Sequence, residues 1–122
     1  MRIAVIDDDR SMRFLLERAL ARDGYAVDAF ASAEAALEAV RASPAAYCAV
    51  ITDQGLPGIS GTDIARTLRA LRADLPVILV SGHVTDELRA LAAQAGARQV
   101  MEKPVSVHAV RELVARLADP GH

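Results

Sequence analysis

The stretch VIDDDRSM, residues 5–12, sets an apolar run directly against three consecutive acids. Residues 2–7 (RIAVID) read as a buried strand, with Asp7, Asp8 and Asp9 gathered at its carboxyl end. Like charges crowded there repel one another, so something elsewhere in the chain must offset them. The residues that follow change period. Met12, Leu15, Leu16, Ala19 and Leu20 recur at helical spacing over 10–23, and Gly24 stops the run. A strand that ends in acids and feeds a helix is the first unit of a pattern that the rest of the chain repeats.

Tyr25 to Phe30 alternates like a strand. Ser32 is a candidate N-cap for a helix to about 43, with Ala36, Leu37 and Val40 on one face, and Pro44 ends it. Tyr47 to Thr52 is a continuous apolar strand, followed by the Gly/Pro-rich loop DQGLPGISG. A helix over 61–72 buries Ile64, Leu68 and Leu71. The strand PVILV opens at Pro76 and runs up to Ser81-Gly82. A helix over 84–95 uses Leu88, Leu91 and Ala92, with Gly96 at its C′ position. Gln99 to Glu102 is a short fifth strand, and Lys103-Pro104 follows it. Ser106 caps a last helix built on Val107, Val110, Leu113, Val114 and Leu117. This alternation predicts an α/β fold with a parallel sheet and helices on both faces. Right-handed crossovers limit it to a doubly wound sheet, whose sites lie beyond the carboxyl ends of the strands.

The 122 residues suit one domain, with a core over about 2–118 and a frayed tail at 119–122. A hydrophobic share of 52% with only 3% aromatics means a core of Ala, Val, Leu and Ile. The net charge of −2 gives no basic excess for nucleic acid or anionic membrane. No apolar run is long enough to span a bilayer, and the amino terminus enters a strand with no signal-peptide pattern. The single cysteine, Cys48, excludes an internal disulfide framework, fits a reducing cytosol and reads as a small buried apolar residue. A cytoplasmic location is the expectation.

The strand ends then supply the chemistry. They carry Asp7, Asp8 and Asp9 after the first strand, Asp53 after the third, Ser81 after the fourth and Lys103 after the fifth. Lys103 provides one counter-charge. A divalent ion would provide more, and the surrounding hard oxygen donors favour Mg2+ over zinc or iron. Gly55 lets the backbone approach such an ion and offer a carbonyl. An Asp carboxylate can act as a nucleophile toward phosphorus. Asp53 is placed for that role, with Lys103 and the Ser81 hydroxyl on phosphoryl oxygens.

At this point the chain resembles a known family, the receiver domain of two-component response regulators. The resemblance runs through essentially the whole chain. It rests on IDDD, ITDQGLPGISG, VSGH and EKP, four motifs in order at four strand ends. It implies a flavodoxin-like (βα)5 fold with strand order 2-1-3-4-5 and a cis Lys103-Pro104 bond. It implies that Asp53 is phosphorylated, that Asp8 ligates Mg2+ directly and Asp7 through water, and that Gly55 gives its carbonyl to the ion. Ser81 matches the switch hydroxyl and Lys103 the site lysine. The phosphodonor would be a histidine kinase or a histidine phosphotransfer protein. The receiver would be a phosphoacceptor in a phosphorelay, not a turnover enzyme, and a monomer or weak homodimer.

The signalling contact is expected on the fourth helix, fifth strand and fifth helix, through Arg89, Gln99, Val100 and Arg111. Val100 stands where the family often has Tyr or Phe, so the switch would rely on Ser81 and the loop after it. Gly55 would leave an acyl phosphate open, with His83 partly screening it. The chain is either a stand-alone regulator or a receiver from a larger protein; LPVILVSGH…AGARQVMEKP resembles the hybrid-kinase type.

Blander readings stand beside these. Asp9 reads as a solvated helix-start residue, Arg66, Arg69 and Arg72 as a solvated helix face, His83 and His108 as exposed, and Met12 as core or site rim, with the rim preferred. One rival is a phosphatase of the haloacid-dehalogenase kind, whose Asp-x-Asp spacing Asp7 and Asp9 match, though 122 residues leave little for a cap. A second is a pseudo-receiver acting by docking alone, against which the complete Asp8, Asp53, Ser81 and Lys103 set argues. A flavin-binding protein fits poorly, because the first loop is acidic where a phosphate cradle is needed.

Overall fold

The structure is a computed structural model that describes residues 1–118; the predicted tail at 119–122 lies outside the described residues. The elements run β1 (Arg2–Ile6), α1 (Arg10–Ala21), β2 (Ala26–Phe30), α2 (Ala33–Ala42), a 3-10 turn (Pro44–Ala46), β3 (Tyr47–Asp53), α3 (Gly61–Leu71), β4 (Val77–Ser81), α4 (Asp86–Ala95), β5 (Gln99–Glu102) and α5 (Val107–Ala118). All strand pairs are parallel, in the order β2-β1-β3-β4-β5. The expected topology is therefore present.

Period-two alternation divides the core between the two faces of the sheet. On β1, Ala4 and Ile6 join Val50, Leu79, Ile64, Leu68 and Ala92 under α2, α3 and α4. Ile3 and Val5 point the other way, to Leu16, Leu20, Val110 and Val114 of α1 and α5. Both faces are covered, which is why β1, β3 and β4 read as unbroken apolar runs. Cys48 is buried, as its place in a strand predicts.

The helix ends differ from the predicted ones by a residue or two, for local reasons. α1 stops at Ala21 because Asp23 and Gly24 donate to Leu20 and Ala21 in tighter turns, and Gly24 takes φ +91°. α4 starts at Asp86 and not near 84, because the Thr85 side chain caps Leu88 N. β3 and β4 each run one residue further, to Asp53 and Ser81.

Three side-chain readings are corrected. Leu15 and Leu91 are 44% and 40% exposed, not core. The buried stripes are narrower than the spacing suggested: Leu16, Ala19 and Leu20 on α1, and Leu88, Ala92 and Ala95 on α4. Met12 packs, half-buried, against the α1–α5 side of the core, so the preference for the rim is not met. Arg72 is not on a solvated face. Its guanidinium donates to the carbonyls of Pro44 (2.9 Å) and Tyr47 and pairs with Asp74 (2.9 Å), tying the end of α3 to the start of β3.

At the amino ends of the strands, Asp28 accepts from Arg2 at 2.7 Å and from the Tyr47 hydroxyl at 2.8 Å. Burial, with the Asp28 hydrogen bond adding to it, pushes the Tyr47 phenol up to about 12. This network ties β1 and β3 to β2 on the side of the sheet away from the acid cluster.

Candidate functional site

The β1 pairing to both β2 and β3 carries Asp7 and Asp53 to neighbouring positions at the carboxyl edge. Asp7 is 3% exposed and Asp53 8%, while Asp8 is exposed. One carboxylate oxygen from each of Asp7, Asp8 and Asp53 lies within 4.8 Å of the others. Lys103 Nζ reaches between two of them, 3.3 Å from Asp53 and 3.5 Å from Asp7. The Lys103-Pro104 bond is cis, and the Lys103 amide donates to the Ser81 carbonyl at 2.8 Å.

These charges do not balance. Burial raises the Asp7 carboxyl above its usual range, and the nearby Asp53 adds to the rise. The Asp9 amide, at 2.9 Å from Asp7 Oδ1, and Lys103 offset only part of it. Burial pulls the Lys103 ammonium down, but Asp7 and Asp53 together outweigh it and leave the group raised. Three acids thus share one cation, and a second cation would relieve what remains. The donor set is hard oxygen throughout, which suits a small divalent ion.

The other predicted residues divide. Asp9 is the α1 N-cap, its carboxylate accepting from Ser11 N at 2.9 Å, as the bland reading has it. Ser81 stands at the end of β4, 9% exposed, but its hydroxyl is committed to its own loop: it accepts from His83 N and donates to His83 O, each at 3.2 Å. Gly55 lies exposed in the loop after Asp53, with open space where a side chain would stand. The expected contact surface needs one correction: Val100 is only 8% exposed and packs in the core. Arg111 pairs with Asp23, beyond the end of α1, at 2.6 and 2.9 Å, with its side chain still 36% exposed. Arg89 and Gln99 are exposed.

Several residues escaped the sequence reading. The Arg13 guanidinium donates to the Asp7 carbonyl at 2.8 Å. The Glu102 carboxylate accepts from Val84 N at 3.2 Å, fastening the loop after Ser81 to β5. Gln54 accepts from Gly61 N through its carbonyl and from Thr62 N through its side chain, both at 3.0 Å. Only the position of Gln54, directly after Asp53 and ahead of a Gly/Pro loop, signalled that it had work to do.

A five-stranded doubly wound sheet with an acid cluster and a lysine at its carboxyl edge defines a receiver-type α/β domain. Comparison with known proteins agrees. The family model described as the response regulator receiver domain matches residues 3–116, and the chain belongs to that family. It is 36% identical over 122 aligned positions to the sensory/regulatory protein RpfC of Xanthomonas campestris, covering 97% of this chain and 16% of that one. It is 38% identical over 119 positions to the transcriptional regulatory protein TcrA of Mycobacterium tuberculosis, covering 96% and 44%. The C4-dicarboxylate transport transcriptional regulatory protein DctD of Rhizobium meliloti matches at 39% over 102 positions, 84% of this chain and 22% of that one. The chain thus spans less than half the length of these relatives. Among solved structures, a response regulator receiver domain protein from Clostridium thermocellum superposes with a TM-score of 0.90 at 27% identity, covering 96% and 93%. The BeF3-activated DrrB receiver domain superposes with a TM-score of 0.86 at 28% identity, covering 95% of each.

Proposed function

We propose that the chain is a single receiver unit over 2–118 that takes a phosphoryl group onto Asp53 from a phosphohistidine donor. The observation that carries the reading is the meeting of Asp7, Asp8, Asp53 and Lys103 at one edge. An Asp53 carboxylate oxygen forms the bond to phosphorus, the phosphorus–nitrogen bond of the donor breaks, and the imidazole leaves carrying a proton. Asp8, Asp53 and the Gly55 carbonyl would hold Mg2+ directly, and Asp7 through water. Bound there, Mg2+ would neutralise the phosphoryl oxygens. Lys103 holds a further oxygen as a point charge.

The product carries about −1.5 to −2 charges. Ser81 turns its hydroxyl from His83 toward that charge, and the 82–85 loop and the face of α4 follow. With Val100 buried, the loop carries the change, and Arg89 and Gln99 lie on the face that reports it. The donor is a histidine kinase or a histidine phosphotransfer protein. The unit is cytoplasmic, a monomer or weak homodimer, and turns over no small substrate; among the described residues no helix is long and apolar enough to cross a membrane.

Incubation with Mg2+ and a small phosphodonor, read by intact mass, tests this. Wild type gains one phosphoryl group and Asp53→Asn gains none; undiminished labelling of Asp53→Asn refutes the assignment. The lifetime of the product tests the surroundings. Gly55→Asn, which has room, lengthens it, and His83→Ala shortens it. Unchanged lifetimes in both would remove Gly55 and His83 from the account.

A further inference from the structure

The loop that follows Asp53 returns to its own starting point. α3 begins at Gly61, and the amides of Gly61, Thr62 and Asp63 have no helical carbonyl to donate to. The N-cap Ser60 takes one of them, its hydroxyl accepting from Asp63 N, while its carbonyl accepts the first helical bond from Ile64 N. Gln54 takes the other two, Gly61 N on its main-chain oxygen and Thr62 N on its side-chain oxygen. A helix usually caps itself from the residue next to it. Here two of the three capped amides are held by the residue next to Asp53, across the whole of the 55–60 loop. Contact at the junction is close: a Cβ on Gly61 would stand 2.8 Å from the Asp53 carbonyl and 2.9 Å from the Gln54 side-chain oxygen.

Gly55 lies directly beside this clamp. It has no side chain, is exposed, and has nothing within 4 Å of where a Cβ would be. The direction of its carbonyl is therefore set by its neighbours, Gln54 on one side and the buried Leu56 on the other. We propose that Gln54 is a positioning residue of the cation site, whose clamp on the start of α3 aims the Gly55 carbonyl at the ion. The inference rests on the reading of Asp53 as an Mg2+-assisted phosphoacceptor, and it assigns Gln54 no contact with ion or phosphoryl group. Groups that orient a ligand from outside typically cost 10–100-fold in metal affinity when removed.

Mg2+ titrations followed by amide NMR, paired with hydrogen exchange at Thr62, test it. Gln54→Met keeps the length of the side chain and loses the acceptor. It is expected to bind Mg2+ about tenfold more weakly and to lose protection at Thr62. Gln54→Glu restores the acceptor and returns the affinity to wild-type level or tighter. Gln54→Asn, one methylene short, gives a partial loss of both readouts and serves if Gln54→Met does not fold. Ser32→Ala controls for stability alone, because it removes the cap of α2 far from the loop; its denaturation midpoint falls and its Mg2+ affinity does not. Equal affinity of wild type and Gln54→Met overturns the inference and leaves the proposed function standing, as does an equal loss in Ser32→Ala. A wild type without saturable Mg2+ binding overturns both.

Discussion

Urea unfolding of Gly61→Ala is expected to give a protein about 1–3 kcal/mol less stable than wild type, the usual cost of forcing a methyl group into a packed site. Two effects oppose each other here. Alanine is the better helix former by about 1 kcal/mol in a helix interior, and position 61 opens α3. Against this, the added Cβ meets the Asp53 carbonyl at 2.8 Å and Gln54 Cα at 3.0 Å. Both are main-chain atoms at the end of a central strand, where β3 pairs on both sides. They cannot swing aside as a lysine tip could, so the strand end or the helix start must move. Gly61 also donates the amide that Gln54 receives, so the displacement falls on the segment between Asp53 and Gly55. Mg2+ affinity is expected to fall at least tenfold along with the stability. A Gly61→Ala protein as stable as wild type with unchanged Mg2+ affinity would mean the junction has slack that the close approach denies.

Gly61 also marks the limit of what the sequence made legible. Period and punctuation gave the five strands and five α-helices of the described residues, because both faces of the sheet are covered by helices whose apolar stripes are regular. The acid run at Asp7 to Asp9, with Asp53 and Lys103 at later strand ends, gave the site, because a parallel sheet collects the carboxyl ends of its strands on one edge. Side-chain destinations were less legible. Leu15 has the spacing of a core residue, yet it sits past the edge of a stripe whose width is set by the packing of α1 against the sheet and α5. Arg72 has the spacing of a solvated face, yet it caps the end of its helix, where it meets the carbonyls of Pro44 and Tyr47. Asking where the main-chain donors and acceptors of each segment go would have raised that question before the structure. Gln54 is harder, because its role depends on how the 55–60 loop closes, and no spacing rule encodes that.

The charge imbalance at the site yields the second large effect. Asp7→Asn is expected to be more stable than wild type at neutral pH without divalent ions, by an amount on the order of 1 kcal/mol. Burial is the largest influence on Asp7 and raises its folded pKa above the unfolded value near 3.8. A group shifted in that direction contributes stability below its unfolded pKa and loses it as pH rises through the folded one. At pH 7 the burial of this carboxyl therefore weighs against the fold. Asparagine removes that burden and keeps an oxygen for the Asp9 amide, which donates to Asp7 at 2.9 Å. The lost attraction to Lys103 is the opposing term, but at 3.5 Å it is the longer of the lysine's two contacts, and Asp53 keeps the other at 3.3 Å. The advantage should shrink as pH falls and vanish below about 4, where the wild-type carboxyl is protonated in both states. Mg2+ should reverse the order. A ligand at 100 times its dissociation constant stabilises the folded state by about 2.7 kcal/mol, and Asp7→Asn binds the ion less well. Thermal unfolding at pH 4 and pH 7, with and without Mg2+, gives all four comparisons. A variant less stable than wild type at pH 7 without the ion would show that Lys103 already compensates Asp7 in full, leaving no excess charge for a cation to answer.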